Sequence, residues 1–390
     1  MQAERPGASA DASAPTRRVR VYETLRTAHL ERALELEPAD LLYLESRYDF
    51  DGALASKLAP EQAGDLRTAW LVMRRGYDEI EINEPMAIPS VRRSWYVVSA
   101  VRLRDLVTRR RSRVVVYAIG NVDPATRPRP RRLVPHLGRR LDEKLARRLW
   151  RQVDRVVYGT DTARDLYGRV FGPMRVGAQT RTIPALPAPC SCGTVADAKV
   201  PGRVLFLGAL SERKGIDTVL EAWPRLAAWS ATARLVVVGR GQFHDEVERV
   251  AAEDPRVTFV HDPPRDRIHE ELRSASVVVL PSRRMSAWRE QVGLPIVEGL
   301  AHGCTVVTTD ETGIASWLSE HGHTVVDGDR APGILADALT KAVATPLDPA
   351  DVLGSLPAED SRLRADRWLF EPSGNSFSSG TSGPSDDSRG

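Results

Sequence analysis

The hydrophobic positions of the chain fall in short apolar runs separated by amphipathic stretches. In the first half the runs are 41–45, 79–83, 114–118 and 155–159; in the second they are 204–208, 235–239, 257–260, 277–280 and 305–308. Many are rich in β-branched residues, and their length is that of a buried strand rather than a helix. Candidate helices lie between them, among them 216–227, 246–252 and a stripe of Leu137, Leu141, Leu145 and Leu149 at four-residue spacing. Continuous apolar strands alternating with helices predict parallel sheets covered on both faces, so the fold class is α/β, with two such units along the chain.

Length sharpens that division. At 390 residues the chain exceeds one ordinary core and suits two domains of about 150 residues each. Residues 1–16, rich in Ala, Ser and Pro, read as a disordered leader, and 371–390, built from Ser, Gly, Pro and Asp, as a disordered tail. Between them we expect an N-terminal domain over 17–186, a proline-bearing linker over 187–200 and a C-terminal domain over 201–370. No stretch approaches the roughly 20 apolar residues of a membrane span. The N-terminus lacks the basic start and apolar run of a signal peptide, so the expected location is cytoplasmic. Cys190, Cys192 and Cys304 show neither a disulfide framework nor a zinc spacing, which leaves reduced thiols as the expectation.

Charge is balanced overall, at +3, but unevenly placed: 102–151 holds sixteen Arg or Lys against four Asp or Glu. Basic segment 127–151, with its leucine stripe, reads either as a solvated helix face or as a peripheral contact with an anionic membrane, where each basic side chain contributes about 1 kcal/mol. Aromatic residues for base stacking are sparse there, so no nucleic-acid partner is expected. The chain has five lysines, which makes Lys214 conspicuous.

Lys214 stands in Val204-Leu-Phe-Leu-Gly-Ala-Leu-Ser-Glu-Arg-Lys-Gly215, where a buried strand ends at Gly208 and a loop carries Arg213, Lys214 and Gly215 to a helix. Ligands of open parallel sheets bind outside the carboxyl ends of the strands, and a cation there suits a pyrophosphate. A second segment runs from Val278-Val-Leu-Pro-Ser through Arg289-Glu-Gln-Val-Gly-Leu-Pro-Ile-Val-Glu298 to Gly303. Its helix begins near Leu294, with Pro295 where the first turn tolerates it, and the helix N-terminus is a ready anion site. Glu290 precedes that helix and Glu298 lies inside it. Gly239-Arg-Gly241 reads as a tight turn.

In combination, Lys214-Gly215, Glu290, Glu298, Gly293-Leu294-Pro295 and the closing Val306-Val-Thr-Thr-Asp-Glu-Thr-Gly313 resemble glycosyltransferase family 4. The resemblance implies two Rossmann-like domains facing across a cleft, the GT-B architecture. It also implies transfer of a sugar from a nucleotide-sugar donor with retention of anomeric configuration. By the same resemblance Glu290 would bind hydroxyls of the transferred sugar and Glu298 those of the ribose. Lys214, with Arg213 beside it, would neutralise the diphosphate, and Gly208, Gly293, Leu294, Pro295 and Gly313 would line the donor site. The acceptor would be a carbohydrate, a lipid-linked sugar or a small molecule. The nucleotide sugar is a substrate, no cofactor is implied, and no paired Asp motif or His cluster marks a metal.

Three departures stand out. The family's usual arginine after the first C-domain strand falls at Ala209. The place of its N-domain histidine reads Ala118-Ile-Gly-Asn121, with Asn121 as the polar candidate. Its N-terminal glycine-rich loop has Gly52 as the nearest counterpart. Two other readings stay open on the same architecture: a catalytically degenerate partner or scaffold, and a nucleotide-sugar epimerase or hydrolase, for which no acid–base pair stands out.

Overall fold

The computed structural model of the chain describes residues 16–46, 50–126, 133–192, 199–286, 288–328 and 332–371. The expected leader and tail thus lie outside the described residues except for Thr16 and Glu371, as do 127–132 of the basic segment and 193–198 of the linker.

Two parallel sheets organise the described residues. The first contains β1 (Arg18–Leu25), β2 (Asp40–Ser46), β3 (Glu61–Gln62), β4 (Glu79–Glu81), β5 (Arg113–Ala118), β6 (Arg155–Tyr158) and β7 (Gln179–Thr182), in the order β3-β2-β1-β4-β5-β6-β7. Its helices are α1 (Thr27–Glu35), α2 (Gly52–Leu58), α3 (Asp65–Arg75), α4 (Val91–Thr108), α5 (Leu133–Trp150) and α6 (Asp161–Phe171). The second sheet contains β8 (Val200–Leu207), β9 (Arg234–Gly239), β10 (Val257–His261), β11 (Ala275–Leu280), β12 (Thr305–Thr309) and β13 (Thr324–Val326), in the order β10-β9-β8-β11-β12-β13. Around it lie α7 (Ile216–Trp229), α8 (His244–Glu253), α9 (Arg265–Ser274), α10 (Leu294–Ala301), α11 (Ala315–Glu320), α12 (Pro332–Ala344) and α13 (Pro349–Gly354). The strand order reverses direction between β1 and β4 in one sheet and between β8 and β11 in the other. Such switch points open a crevice at the strand ends.

Each of the nine apolar runs overlaps a strand, three of them running one or two residues past its end, but β1, a central strand of the first sheet, is absent from them. Arg18 and Arg20 interrupt its apolar pattern, and both are neutralised across the sheet. Parallel register sets Arg18 opposite Glu79 and Arg20 opposite Glu81. Arg18 Nε donates to Glu79 Oε2 at 2.7 Å, and Arg20 Nε to Glu81 Oε2 at 3.0 Å. A buried ladder of opposite charges replaces the apolar face that marks the other strands.

That charged face explains a second departure. The last described helix, α14 (Ser361–Phe370), does not join the C-terminal unit, although 201–370 was expected to form it. Ala365, Leu369 and Phe370 instead pack with Val115, Val157 and Ile183 of the first sheet. Asp366 receives Arg20 Nη2 at 2.8 Å, and Arg362 pairs with Glu81. Arg20 and Asp366 are each 1% exposed, so each requires the other.

The leucine stripe of α5 packs on its own sheet at one end. Leu149 is buried, Leu145 half-buried, and Leu141 and Leu137 are 50% and 59% exposed.

Candidate donor-binding site

The site grows from the β8/β11 switch point. After β8, Gly208 adopts φ 143°, and a 3-10 turn over Glu212–Lys214 ends at Gly215 with φ 73°. A side chain at Gly215 would collide with the carbonyl of Pro281, so the turn before α7 fits tightly against the end of β11. The same strand end delivers Ser282. Gly239 and Gly241 let the β9 loop approach the backbone of Gly208 and Leu210, a packing role consistent with a tight turn.

Lys214 and Glu290, the two expected catalytic residues, meet directly: Lys214 Nζ forms an ion pair with Glu290 Oε2. Ser282 Oγ donates to the same oxygen at 2.9 Å. Both charged side chains are largely buried, at 13% and 9% exposure. The Lys214 ammonium lies 5.3 Å, and the Arg213 guanidinium 4.7 Å, from the centre of the Trp288 ring, which attracts both cations. Arg213 therefore flanks Lys214.

Asn121 reaches the same residue from the first domain. Its Nδ2 donates to the Glu290 carbonyl at 2.6 Å, and among the described residues its buried Oδ1 has no partner. Glu84, absent from the expected site, sets this loop. Its carboxylate accepts from the Gly120 N–H at 2.9 Å, Tyr167 Oη at 2.8 Å and the Ile119 N–H at 3.2 Å. Burial pushes its pKa up, against the pull of these donors. A Cβ on Gly120 would lie 3.0 Å from Glu84 Oε2, so glycine there lets the carboxylate in.

Behind Glu290 the chain is pinned by the Gly313 N–H on the Gln291 carbonyl at 2.9 Å and by Thr312 Oγ1 on that of Val292 at 2.6 Å. Gly313 lies at the domain seam, where a Cβ would be 2.8 Å from Thr160 Cγ2. Gly293 is the N-cap of α10 with φ 87°, and a Cβ would come within 2.9 Å of Ile296 Cδ1. Pro295 is buried, and Leu294 is 67% exposed. The N-terminus of α10 follows within a few residues of the Lys214–Glu290 pair, adding the positive end of a helix to the ammonium.

Glu298, one turn into α10, pairs with Arg265 of α9 at 2.5 Å. Its carboxylate is 21% exposed, so the two glutamates occupy different surroundings. Between the sheets lies a cavity of about 390 Å³, lined by Asn83, Glu84 and Ile119 on one side and Val292, Leu294 and Val297 on the other.

Gly52 stands apart from this assembly. It opens α2, capped by Asp51, whose Oδ1 accepts from the Ala53 N–H at 2.7 Å. Because β1 precedes β2, the connection after the first strand is Arg26, and it brings His29 to the cavity in place of Gly52. Glu84, Ser282, Trp288 and Arg265 are the site's additional residues. Ser282 was visible as the Pro-Ser that closes a strand, whereas the others are joined to the site by tertiary contacts.

Residues 201–345 match the family described as glycosyl transferases group 1. A phosphatidyl-myo-inositol mannosyltransferase of Mycobacterium leprae is 32% identical over 139 residues, 35% of this chain and 36% of the relative. A GDP-mannose-dependent alpha-(1-6)-phosphatidylinositol monomannoside mannosyltransferase of Mycolicibacterium smegmatis is 28% identical over 177 residues, 44% of this chain and 45% of the relative. The matched part thus spans less than half of either relative. Among solved structures, Anabaena HepE in complex with UDP is similar with a TM-score of 0.60 at 15% identity, covering 91% of this chain and 96% of that one. WaaG, a glycosyltransferase involved in lipopolysaccharide biosynthesis, is similar with a TM-score of 0.60 at 15% identity, covering 91% and 100%. With two parallel sheets facing across a cleft and the family's sequence in the second, the chain has the GT-B architecture and carries a group 1 glycosyltransferase domain.

Proposed function

We propose that the chain is a retaining glycosyltransferase that moves a hexose from a nucleoside-diphosphate sugar to a hydroxyl of a carbohydrate, lipid-linked or small-molecule acceptor. The observation that carries this reading is the buried Lys214–Glu290 pair, set beside the N-terminus of α10 at the β8/β11 switch point. On donor binding, Lys214 shifts from Glu290 to the diphosphate, and the freed carboxylate accepts hydrogen bonds from sugar hydroxyls. The bond from C1 to the donor phosphate oxygen breaks, a bond from C1 to the acceptor oxygen forms, and the hydroxyl proton leaves with the diphosphate. Lys214 and the helix stabilise the charge that grows on the leaving group more than they stabilise the bound donor. That positive charge comes from the protein, so the reading requires no metal at the diphosphate. Asn121 Oδ1 is available to a sugar or acceptor hydroxyl. The mannosyltransferase relatives and the UDP complex of HepE support a nucleotide-sugar donor of this class.

The exposed Leu137 and Leu141, with exposed Arg140, Lys144, Arg147 and Arg148, support peripheral contact with an anionic membrane face from a cytoplasmic location. Among the described residues no helix is long and apolar enough to cross a membrane.

The donor assignment is tested at Glu298. A carboxylate facing vicinal hydroxyls accepts two hydrogen bonds, and glutamine keeps the shape while weakening both. Glu298→Gln is expected to bind free nucleoside diphosphate about tenfold more weakly, ~1.4 kcal/mol, measured by calorimetric titration. Unchanged affinity in a folded variant would remove Glu298 from the nucleoside end of the site.

A further inference from the structure

Outside the donor site, the linker and two helices bring four metal-ligating side chains together. Cys190 and Cys192 lie on the stretch between the sheets, His269 on α9, and His302 just past the end of α10. Cys192 Sγ is 3.2 Å from His302 Nε2, His269 Nδ1 is 3.1 Å from His302 Nε2, and Cys190 Sγ is 3.8 Å from His269 Nδ1. The four ligand atoms all lie within 4.8 Å of one another. Zinc held tetrahedrally at about 2.0–2.1 Å from nitrogen and about 2.3 Å from sulfur would separate neighbouring ligand atoms by roughly 3.3–3.8 Å. The three contacts at 3.1, 3.2 and 3.8 Å fall at or close to that range.

The surroundings also select a ligand rather than a hydrogen-bond cluster. His302 Nδ1–H donates to the Glu298 carbonyl at 2.7 Å, which fixes the tautomer and turns the Nε2 lone pair inward. That one lone pair faces both Cys192 Sγ and His269 Nδ1, and it can accept from one of them at a time. A cation at the centre satisfies all four atoms at once. His302 is buried at 1% exposure, which holds its ring in place. The linker is already seated there by the Cys190 N–H on the Ala301 carbonyl at 2.8 Å and by Arg273 on the Cys192 carbonyl at 3.2 Å.

We propose that Cys190, Cys192, His269 and His302 form a closed Cys2His2 site for a zinc ion, which staples the interdomain linker to the middle of α9 and the end of α10. Each thiol loses its proton to solvent on binding, so two thiolates and two neutral imidazoles offset the charge of the ion. With four protein ligands the site is structural. It holds the point at which the linker meets the second domain, one turn along α10 from Glu298. The sequence concealed it because the paired ligands are 79 and 110 residues apart.

The test uses the full chain, purified without chelators or a polyhistidine tag. Elemental analysis should find about one zinc per chain, and the stripped protein titrated with cobalt(II) should develop the thiolate charge-transfer and ligand-field bands of a tetrahedral site. The double variant C190S/C192S should lose the charge-transfer band and bind zinc at least ~100-fold more weakly, with its circular dichroism unchanged. Should that variant fold poorly, His269→Ala keeps both thiols and should still weaken zinc binding at least ~10-fold. The proposal is overturned by a chain that takes up no zinc and shows no cobalt–thiolate band, by equal zinc affinity in the variants, or by a Cys190–Cys192 disulfide in the native protein.

Discussion

Lys214→Ala is expected to lower turnover of the nucleotide-sugar donor by about 10²–10³-fold, the loss found when one preorganised charge or donor is removed from a transition state. Three features make the effect large. Position 209 is alanine, so the end of β8 contributes no second cation. Arg213, the adjacent positive charge, lies over the Trp288 ring. The largely buried Glu290 side chain would lose its ammonium partner and keep Ser282. Nucleoside-diphosphate affinity should fall too, by roughly 10–150-fold, as a charge-assisted contact is worth about 1.5–3 kcal/mol. Arg213→Ala should do less on both counts. Initial rates of nucleoside-diphosphate release and a calorimetric titration on the two variants provide the comparison. Normal turnover in Lys214→Ala would pass the phosphate role to the N-terminus of α10.

The second large effect concerns stability. Asp366→Ala leaves Arg20, 1% exposed, without the carboxylate that accepts from its Nη2 at 2.8 and 2.9 Å. It also removes the acceptor of the Glu37 N–H at 3.1 Å. Breaking a buried pair at one partner costs about 3–5 kcal/mol, which for a domain of this size lowers the melting temperature by roughly 6–20 °C. Thermal unfolding followed by circular dichroism measures it, and a melting temperature within a degree or two of the parent would show that α14 is not needed by the first sheet. The chain's last described helix is thus part of the N-terminal domain, so cutting between the domains near residue 200 separates that sheet from its own cover. Recombining the two fragments should restore N-domain stability if 361–370 is present on the second.

What could be read from the sequence follows how each element is stabilised. The end of β8 and strands β9, β11 and β12 bury both faces against helices, so their side chains form nearly continuous runs of apolar and small residues. The donor motifs lie in the same region because loop positions at those strand ends are set by short-range constraints such as Gly215 and Gly293. β1 was hidden because its arginines are neutralised by Glu79, Glu81 and Asp366, the last of them 346 residues from Arg20. Long-range pairing leaves no periodicity to find. The same holds for Glu84, whose role depends on the Gly120 and Ile119 N–H groups of a neighbouring strand end. The sequence paired Lys214 with phosphate and Glu290 with sugar, and the fold adds that each is the other's partner.

The measurement that bears most directly on the central claim is release of nucleoside diphosphate from a panel of nucleotide sugars, without added acceptor. The chain should release it from at least one donor. Glu290→Gln should slow that release at least tenfold, about 1.4 kcal/mol in the barrier, while binding free nucleoside diphosphate nearly as well as the parent. A chain that binds nucleoside diphosphate and consumes no donor, or a Glu290→Gln variant with a lower melting temperature and normal release, would contradict the account.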